Sequence, residues 1–365
     1  MKILHICRNL CGSRVFPELF VELERQGLEQ VVFAPEISLP PEGPPPMPGV
    51  QTYLCRTLRN TDTLFFFRKA QRTVPEVLGR VRMKEVRLIH AHTLFTDGSI
   101  ARSLSRKTGL PYMVTLRYSD VAAIYRYEPH LRPLARRILR DAVRVVFLSE
   151  GIRREVTGWL PREEQEAFGE KTAVIPNGIA PAWLDGTPRK LSGEVVRVGF
   201  AGKLNDRKRP LDALRAVHAA NAGGSRRFVL RVCGTGPLEG RVRQALGKED
   251  EMLGKITGME PMKAFYRSCD VLLVPSRAET FGMVYLEAMS QGVPVLYTRG
   301  QGFDGQFPDG QVGYPVICRN ISSQADALHR IAGEDYEAMS SRCLEAAGSL
   351  SLPRVAGMWM QLYGD

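Results

Sequence analysis

The chain has 365 residues and a net charge of +11, and its 44% hydrophobic and 24% charged residues are typical of a soluble globular protein. This length accommodates two domains of ordinary size, and no apolar run is long enough to cross a membrane. Seven scattered cysteines without CxxC pairs argue against a disulfide framework, and Cys7 and Cys11 give only a weak indication of a metal site.

The positive charge is concentrated in the first half of the chain. Residues 1–178 carry 27 Lys and Arg against 19 Asp and Glu, whereas the remainder carries 23 against 20. This bias suits an acidic or phosphorylated partner, including an anionic membrane surface, and we expect no nucleic acid partner. The apolar stretch before Arg8 is too short for a signal peptide. We therefore predict a cytoplasmic protein, with peripheral contact at the inner face of the cell membrane as an option.

The chain opens with a predicted βαβ unit. Lys2–Cys7 and Val31–Ala34 have the apolar content of strands, and a turn at Gly12 leads from the first strand into an amphipathic helix. This turn follows the carboxyl end of a strand, where open parallel sheets bind ligands. Because the GxGxxG pattern is missing, a dinucleotide-binding domain is not supported. The proline-rich residues 35–49 are predicted to form a stiff spacer.

Two basic segments of the first half have helical periodicity. Residues 63–81 place the apolar run Leu64 to Phe67 before several cations, and Pro75 is expected to kink or interrupt this helix. Residues 126–140 combine arginines with leucines and isoleucine at helical spacing. Such faces can lie on an anionic bilayer, but a helix packed on the sheet with a solvated basic face is the more frequent case.

Strands at Leu88–His92 and Tyr112–Leu116 end in polar residues, and Arg117 and Asp120 follow the second strand. The polar ends of these two strands are candidates for function, although neither histidine is a clear base. A boundary between domains is expected at Asn177 and Gly178, where turn-forming residues cluster.

The second half begins with another strand and a basic turn. Residues 195–202 are apolar and end in glycine, and residues 203–210 contain four cations before a predicted helix. A strand, a glycine and a basic turn entering a helix form a phosphate-binding arrangement, although the P-loop pattern is missing. A further strand over residues 228–233 ends in a glycine turn.

Asp270 to Leu296 is predicted to be the functional centre, as a strand, turn, helix and strand. The helix begins near Gly282, where unpaired backbone N–H groups attract phosphate oxygens and hydroxyls. Two carboxylates, Glu279 in the turn and Glu287 on the helix, can each accept a pair of hydroxyl hydrogen bonds, as a ribose or a sugar would offer.

The pattern E-x-F-G-x-x-x-x-E from Glu279 to Glu287, followed by A-M-x-x-G-x-P-V, resembles the signature of the retaining family-4 glycosyltransferases. The resemblance extends to I-H-x-H at residues 89–92, I-P-N-G at 175–178 and G-x-G-P at 234–237, and so spans nearly the whole chain. It implies an α/β protein of the GT-B fold, with two doubly wound Rossmann-like domains facing a central cleft. The implied domains are an acceptor-binding domain of residues 1–178, with a C-terminal helix at 353–365 packing back on it, and a nucleotide-sugar-binding domain of residues 179–352.

The resemblance also implies roles for single residues. Glu279 would hold hydroxyls of the transferred sugar, and Glu287 would hold the ribose of the nucleotide. Lys203 and Lys208 stand where the family has an Arg and a Lys that grip the diphosphate. The other donor-side candidates are Phe281, Gly282, Met283, Gly202, Gly12, Ser13, Gly234, Thr257 and Met259. The acceptor-side candidates are His92, Asp120 and Arg14.

Arg117 departs from the family pattern T-x-H-G-x-D, because it stands in the place of the histidine, and Tyr118 stands in the place of the glycine. Arginine stays protonated and cannot be a general base, but it can clamp a phosphate or a carboxylate. Arg117 is therefore a catalytic candidate together with Glu279, Lys203 and Lys208, and the change predicts altered acceptor handling rather than inactivity.

The implied reaction moves a hexose from a nucleotide-diphosphate sugar to a hydroxyl of a glycan or lipid-linked acceptor in cell-surface polysaccharide biosynthesis, with retention of configuration. The sequence has no DxD pair to hold a divalent ion, so we expect neither a metal nor a cofactor. Two alternatives stay open. One is an epimerase or phosphorylase of the same fold, which product analysis separates; the other is a non-catalytic binding scaffold, for which Arg117 is the best support.

Overall fold

The computed structural model describes residues 2–63, 66–117, 120, 128–223 and 226–364. Leu64, Phe65, Tyr118, Ser119 and Arg126, which belong to the predicted segments above, lie outside the described residues. The contacts divide the chain into two compact units. Unit 1 comprises residues 1–178 and 352–365, and unit 2 comprises residues 179–351.

Unit 1 is built on a parallel sheet of seven strands. In chain order the strands are β1 (Lys2–Ile6), β2 (Glu29–Glu36), β3 (Gln51–Arg56), β4 (Val86–Ala91), β5 (Tyr112–Leu116), β6 (Arg144–Phe147) and β7 (Thr172–Val174). Their spatial order is β3-β2-β1-β4-β5-β6-β7. The helices between them are α1 (Val15–Arg25), α2 (Phe66–Arg80), α3 (Thr96–Thr108), α4 (Arg132–Asp141), α5 (Glu150–Thr157) and α6 (Arg162–Glu170). The central strands are buried on both faces, which explains their almost continuous apolar sequences.

Unit 2 repeats this plan with six parallel strands. They are β8 (Val195–Ala201), β9 (Arg227–Cys233), β10 (Glu251–Gly254), β11 (Val271–Leu273), β12 (Val295–Thr298) and β13 (Gly313–Val316). Their spatial order is β10-β9-β8-β11-β12-β13. The helices are α7 (Pro210–Ala220), α8 (Glu239–Ala245), α9 (Met259–Arg267), α10 (Met283–Met289), α11 (Ile321–Gly333) and α12 (Tyr336–Ser349).

The strand order of each sheet fixes where a ligand can bind. The order reverses between β1 and β4 in unit 1 and between β8 and β11 in unit 2, which makes both sheets doubly wound. In such sheets the loops diverge at the reversal and leave a crevice outside the carboxyl ends of the strands. The predicted fold class, two doubly wound α/β units, is confirmed.

The last helix, α13 (Leu352–Gly364), packs on α1 within unit 1. Its residues Val355, Trp359 and Tyr363 are buried in the same apolar cluster as Leu19 and Leu23 of α1. The apolar face of α13 therefore completes the core of unit 1, although it is far from the rest of that unit in sequence.

The two basic segments form helices that differ in detail from the prediction. Pro75 does not interrupt α2, which continues through it to Arg80. The ring lies on the exposed side, where water can hydrogen-bond to the carbonyl group that loses its helical partner. The second segment is a 3-10 turn over Pro129–Leu131 followed by α4. Within the described ranges no helix combines the length and the apolar character needed to span a bilayer.

Candidate functional site

The polar residues of unit 2 converge at the reversal point between β8 and β11. Gly202 and Lys203 follow β8, and the turn of residues 274–282 follows β11. The two turns are joined directly, because the main-chain N–H of Arg277 donates to the carbonyl of Arg207 at 2.7 Å. The candidate donor site of the sequence analysis is thus formed by segments about 70 residues apart.

Lys208 and Glu279 form an ion pair at this point. Their side chains are 12% and 11% exposed, so water screens the pair little. The hydroxyl of Ser276, which is fully buried, donates to the same Oε2 of Glu279 at 3.2 Å. A positive charge and a carboxylate are therefore held in fixed positions at the carboxyl ends of β8 and β11. The cation could bind a phosphate group, and the carboxylate could accept a hydrogen bond from a sugar hydroxyl.

The backbone of Glu279 is held by the loop that follows β12. The main-chain N–H of Glu279 donates to Oε1 of Gln301 at 2.9 Å, and the N–H of Gly302 donates to the carbonyl of Glu279 at 3.0 Å. A Cβ atom on Gly302 would overlap the carbonyl of Thr280, so only glycine permits this approach. Gln301 and Gly302 therefore fix the backbone of Glu279, whereas Lys208 contacts its side chain.

Gly282 provides the sharp entry into α10. Its φ of +85° is left-handed, and a Cβ atom there would overlap the ring of Tyr285. Phe281 is 1% exposed, and its ring packs at 6.0 Å from that of Phe303. Of the predicted donor-side residues here, Phe281 can therefore offer only its backbone, whereas Met283 is partly exposed.

Glu287 lies on α10 and accepts a hydrogen bond at Oε2 from the hydroxyl of Tyr266, which lies on α9, at 2.7 Å. Tyr266 is fully buried, and burial, followed by the charge of Glu287, raises the pKa of its hydroxyl well above the ordinary range. Tyr266 is thus a permanent donor to this carboxylate.

A cavity of about 420 Å³ lies beside these groups at the ends of β8, β9 and β10. Its lining residues are Ala201, Gly202, Lys203, Cys233, Gly234, Thr235, Gly236, Lys255, Ile256, Met262 and Val284. Gly202, Lys203 and Gly234 of the predicted site are among them. Thr257 is exposed and Met259 begins α9, and neither is one of the described residues that line the cavity.

In unit 1 a second cavity of about 420 Å³ lies at the turn after β1. Gly12, Ser13 and Arg14 line it together with Glu18, and two prolines of the predicted spacer, Pro45 and Pro46, form part of its wall. Burial raises the pKa of the Glu18 carboxyl, and Arg14 opposes that rise. The proline-rich segment therefore shapes a cavity as well as bridging β2 and β3.

Three histidines form a buried cluster under the ends of β1 and β4. Nδ1 of His5 lies 3.0 Å from Nε2 of His92, and His90 hydrogen-bonds through Nδ1 to Tyr363 and through Nε2 to Thr115, each at 2.7 Å. Burial lowers the pKa of all three imidazoles, that of His5 to about 3. His92, predicted on the acceptor side, is 1% exposed, so its ring packs inside unit 1 beneath the ends of β1 and β4 and offers almost no surface to a ligand.

We predict that His5→Leu lowers stability at pH 7.5 by removing the hydrogen bond to His92, and that this deficit shrinks in acid. The folded pKa of His5 is below its unfolded value of 6.5, so the wild-type protein loses stability as the pH falls below 6.5, when only the unfolded state takes up the proton. At pH 5.0 this loss amounts to about 2 kcal/mol for one histidine, and the variant does not suffer it. Urea unfolding at both pH values measures the gap, and a gap that is equally large at pH 5.0 and pH 7.5 would contradict the prediction.

Arg117 is anchored on several sides. Its Nε donates to the carbonyl of His92 at 3.3 Å, and its guanidinium lies 4.3 Å from the centre of the Phe16 ring. Oδ2 of Asp120 accepts from the main-chain N–H groups of Arg117 at 3.0 Å and Leu94 at 3.1 Å. Burial raises the pKa of Asp120 to about 6. Asp120 therefore joins the loops after β4 and β5, and Arg117 is a fixed, 9% exposed cation at their ends.

A further buried polar group in unit 1 is Asp97 at the start of α3. Its Oδ1 accepts from the main-chain N–H of Arg8 at 3.2 Å, and burial raises its pKa to about 7. Lys69 of α2 donates to Thr96 at 3.3 Å, and burial lowers its pKa to about 8. These groups brace α2 and α3 against the end of β1.

Two family matches cover most of the chain. Residues 12–178 match the family described as "Glycosyl transferase 4-like domain", and residues 196–334 match "Glycosyl transferases group 1". The matched ranges correspond to unit 1 and unit 2 in chain order. The chain belongs to the family-4 glycosyltransferases.

Relatives from other organisms match the sequence of this glycosyltransferase at low identity. A D-inositol 3-phosphate glycosyltransferase of Paenarthrobacter aurescens is 27% identical over 326 residues, which is 80% of this chain and 76% of the relative. An uncharacterized glycosyltransferase of Methanocaldococcus jannaschii is 25% identical over 240 residues, which is 64% of this chain and 62% of the relative. The match therefore spans less than two thirds of the second relative.

Solved structures share the fold of this glycosyltransferase. Sucrose-phosphate synthase from Thermosynechococcus elongatus superposes with a TM-score of 0.79 at 19% identity, covering 100% of this chain and 98% of the other. Anabaena HepE in complex with UDP and glucose gives 0.71 at 15% identity, covering 100% and 99%. At these identities the likeness concerns the fold, which is GT-B.

Several residues of this glycosyltransferase that act on the candidate site are not singled out by the sequence. Tyr266 contacts Glu287 from α9, and His5 looks like an ordinary strand residue. Gln301, which contacts Glu279, belongs instead to a glycine-rich loop, residues 300–305, that the sequence places beside the donor. One sequence signal could have marked His5 and Asp97. Each is an ionisable residue next to apolar residues, and such a residue is expected to be buried with a hydrogen-bond partner.

Within the part of the chain that the structure describes, the His5, His90 and His92 cluster is the one group of potential metal ligands, with nitrogen atoms within 4.8 Å of one another. Both ring nitrogens of His90 are hydrogen-bonded, and the nearby cation of Arg117 disfavours a second positive charge. The cluster fits a network of neutral imidazoles better than a metal centre.

Proposed function

We propose that this chain transfers a hexose from a nucleotide-diphosphate sugar to a hydroxyl of a glycan or lipid-linked acceptor, with retention of configuration and without a metal or cofactor. The observation that supports this most is the fixed Lys208–Glu279 pair at the ends of β8 and β11. Glu287 lies on α10, the helix that follows the turn of Glu279. Unit 2 would bind the donor, and unit 1 would bind the acceptor in the synthesis of a cell-surface polysaccharide.

In the proposed reaction the acceptor oxygen forms a bond to the anomeric carbon as the bond from that carbon to the β-phosphate oxygen breaks. The acceptor proton moves to the departing phosphate, so a separate strong base is not required. Lys208 and Lys203 would stabilise the negative charge that develops on the diphosphate, and Glu279 would orient the sugar through its hydroxyls. Arg117 would bind an anionic group of the acceptor or the donor.

A thermal-shift panel tests the donor. We expect one of UDP-, GDP-, ADP- or TDP-sugars to stabilise the protein selectively, because a ligand at about 100 times its dissociation constant adds about 2.7 kcal/mol to the folded state. That corresponds to a rise in Tm of roughly 5–10 °C for a unit of this size. The shift should be the same with magnesium or with a chelator, and Glu287→Ala should abolish it. Product analysis then follows: sugar moved to an acceptor supports the transferase, while an epimerised or phosphorolysed sugar contradicts it. No shift with any nucleotide would favour a binding scaffold.

The acceptor side of the proposal includes contact with an anionic membrane. Helices α2, α3 and α4 pack side by side, and exposed cations cover them, including Arg106, Lys107, Arg136, Arg137 and Arg140. Between the helices lies a cavity of about 410 Å³, lined in part by Phe67, which is 55% exposed, and by Leu134. An apolar groove surrounded by cations suits the surface of a bilayer that contains anionic lipid.

The double variant Lys107→Glu, Arg137→Glu should bind at least tenfold more weakly to vesicles that contain phosphatidylglycerol, since each basic residue contributes about 1 kcal/mol near such a surface. Co-sedimentation measures the binding, and pure phosphatidylcholine vesicles should retain neither protein. The matched control Arg241→Glu, Lys248→Glu changes two exposed cations of unit 2 by the same charge and should bind like the wild type. Equal loss in both double variants would show that net charge alone governs binding.

A further inference from the structure

Three arginines with exposed side chains follow strands β8, β11 and β13 at the carboxyl edge of the sheet of unit 2. They are Arg207, Arg277 and Arg319, and we call them the arginine cluster. The main-chain N–H of Arg277 donates to the carbonyl of Arg207 at 2.7 Å, and the thiol of Cys318 donates to the carbonyl of Pro275 at 3.8 Å. The loops that carry the three arginines are therefore in contact.

The helices behind these loops bring Arg319 close to the basic turn after β8. Helices α7 and α11 pack against each other, and both run back from the carboxyl edge of the parallel sheet, so their first residues lie at the same end. Arg209 directly precedes α7, and Arg319 precedes Asn320, the N-cap of α11. Burial raises the pKa of the Cys318 thiol, and the charges of nearby arginines, Arg277 and Arg319 among them, oppose that rise. Two members of the cluster therefore act on one half-buried atom.

The arginine cluster has an excess of positive charge that its neighbours do not neutralise. The carboxylate of Glu279 pairs with Lys208, and that of Asp212 accepts two hydrogen bonds from Arg209 at 2.8 and 3.0 Å. Asp206, exposed in the same turn, offsets one of the three charges. Within the described ranges no member of the cluster forms an ion pair. Cations that lie close together repel one another, so a bound anion stabilises them.

Arg319 has a left-handed backbone, with a φ of +66°. This conformation brings Cβ close to the following carbonyl oxygen, so it is uncommon for residues other than glycine. Of the described residues with a Cβ atom, only Arg209 shares it, with a φ of +58°. Strained backbone of this kind concentrates at functional sites. A glycine would fit position 319 with less strain, and the arginine supplies a cation there instead.

The arginine cluster lies apart from the cavity of about 420 Å³ in unit 2. That cavity is at the ends of β8, β9 and β10, whereas Arg277 and Arg319 follow β11 and β13. Lys208 and Glu279 lie between them, because the spatial order of the strands is β10-β9-β8-β11-β12-β13. None of the described residues that line the cavity is an arginine. A nucleotide in the cavity, with its diphosphate at Lys203 and Lys208, would therefore leave the cluster free for another anion.

We propose that the arginine cluster is a second anion-binding site of unit 2, which takes the phosphate group of a sugar phosphate or of a lipid phosphate. A guanidinium group presents paired N–H donors that match the oxygens of a phosphate, and it stays charged at any physiological pH. Two or three such groups balance the charge of a phosphate dianion. The inference goes beyond the proposed function, because this phosphate is not that of the nucleotide donor.

Isothermal titration of the full chain with glucose 6-phosphate and with octyl phosphate tests the site. The nucleotide selected by the thermal-shift panel is present at saturation, so that the donor site is occupied. We expect at least one of the two esters to bind, and we expect no binding of glucose or 1-octanol, which lack the phosphate. Binding of glucose 6-phosphate alone identifies a sugar phosphate, and tighter binding of octyl phosphate identifies a lipid phosphate.

Arg277→Gln and Arg319→Gly should each weaken the binding of that ester about tenfold, because each removes one charge-assisted contact. Arg319→Gly should also keep or raise Tm, since glycine relieves the left-handed strain, so its loss of affinity cannot come from unfolding. The matched control is the double variant Arg241→Gln, Lys248→Gln, which removes two exposed charges of unit 2 outside the cluster. It should bind the ester like the wild type, and all of these variants should bind the nucleotide like the wild type.

The outcomes separate this inference from the proposed function. If saturating nucleotide abolishes ester binding, the phosphate occupies the donor site, which overturns the inference and leaves the proposed function standing. The inference also fails if neither ester binds, or if the control double variant loses as much affinity as the double variant Arg277→Gln, Arg319→Gly. Ester binding that depends on these two arginines, in a protein that binds no nucleotide, supports the inference and contradicts the donor site.

Discussion

Lys208→Met should lower kcat by about 10²–10³-fold, the loss seen when one fixed electrostatic group is removed from the site of developing charge. Lys208 is a nearly buried cation beside Glu279, so its charge acts at low dielectric and is poorly replaced by water. Methionine keeps the length and the apolar stem of the side chain, so the packing around α7 should survive. Steady-state turnover with the donor identified by the thermal-shift panel measures the effect.

The same substitution should also reduce stability, because it leaves Glu279 with Ser276 but without its cation, at a cost of the order of 1–3 kcal/mol. The double variant Lys208→Met, Glu279→Gln removes the orphaned charge. It should recover most of the lost stability and none of the activity, which separates folding from catalysis.

Lys190→Met provides the control for the loss of a lysine. Lys190 pairs with Glu337 at 3.2 Å, but the two side chains are 75% and 51% exposed, so the pair contributes little. Turnover of this variant should match the wild type. If Lys208→Met also turns over at the wild-type rate, Lys208 has no electrostatic role and the proposed mechanism is wrong.

The strands that the sequence predicts are those buried on both faces of a sheet, because such strands need apolar residues at nearly every position. The central strands β1, β4, β5, β8 and β11 are all of this kind. The strands that the sequence does not predict are β3, β7, β10 and β13, which are the four edge strands of the two sheets. An edge strand has one neighbour and more contact with water, so its sequence has a weaker pattern. β13 even contains Pro315, which a central strand would not accept.

The candidate site was predictable as segments and not as contacts. The E-x-F-G turn and the basic turn after β8 each suggested a ligand from local chemistry. Their pairing through Lys208 and Glu279 joins residues 71 positions apart, and the clamp of Gln301 on Glu279 joins residues 22 apart. Such contacts depend on the strand order, in which β8 and β11 are neighbours, and no local pattern specifies that order.

Gly234 lies where two glycine turns meet, and its substitution should have the largest effect on folding. Gly202 and Gly234 follow the neighbouring strands β8 and β9, and both have positive φ, +148° and +144°. A Cβ atom on Gly234 would overlap the carbonyl of Gly202, which is backbone and cannot rotate away. Both glycines line the cavity of about 420 Å³ in unit 2, so a shift of either turn changes the shape of the candidate donor site.

Gly234→Ala should therefore destabilise unit 2 by about 3 kcal/mol or more, from backbone strain and overpacking together. A loss of that size lowers Tm by roughly 6–12 °C, and the nucleotide that stabilises the wild type should no longer do so. Gly240→Ala is the matched control, because its Cβ would meet nothing within 4 Å and it lies in α8, where alanine is favourable. Differential scanning calorimetry with and without nucleotide measures both effects. Since the strain and the cavity arise from the same backbone contact, a variant that kept its Tm but lost nucleotide binding would contradict the close approach of the two turns.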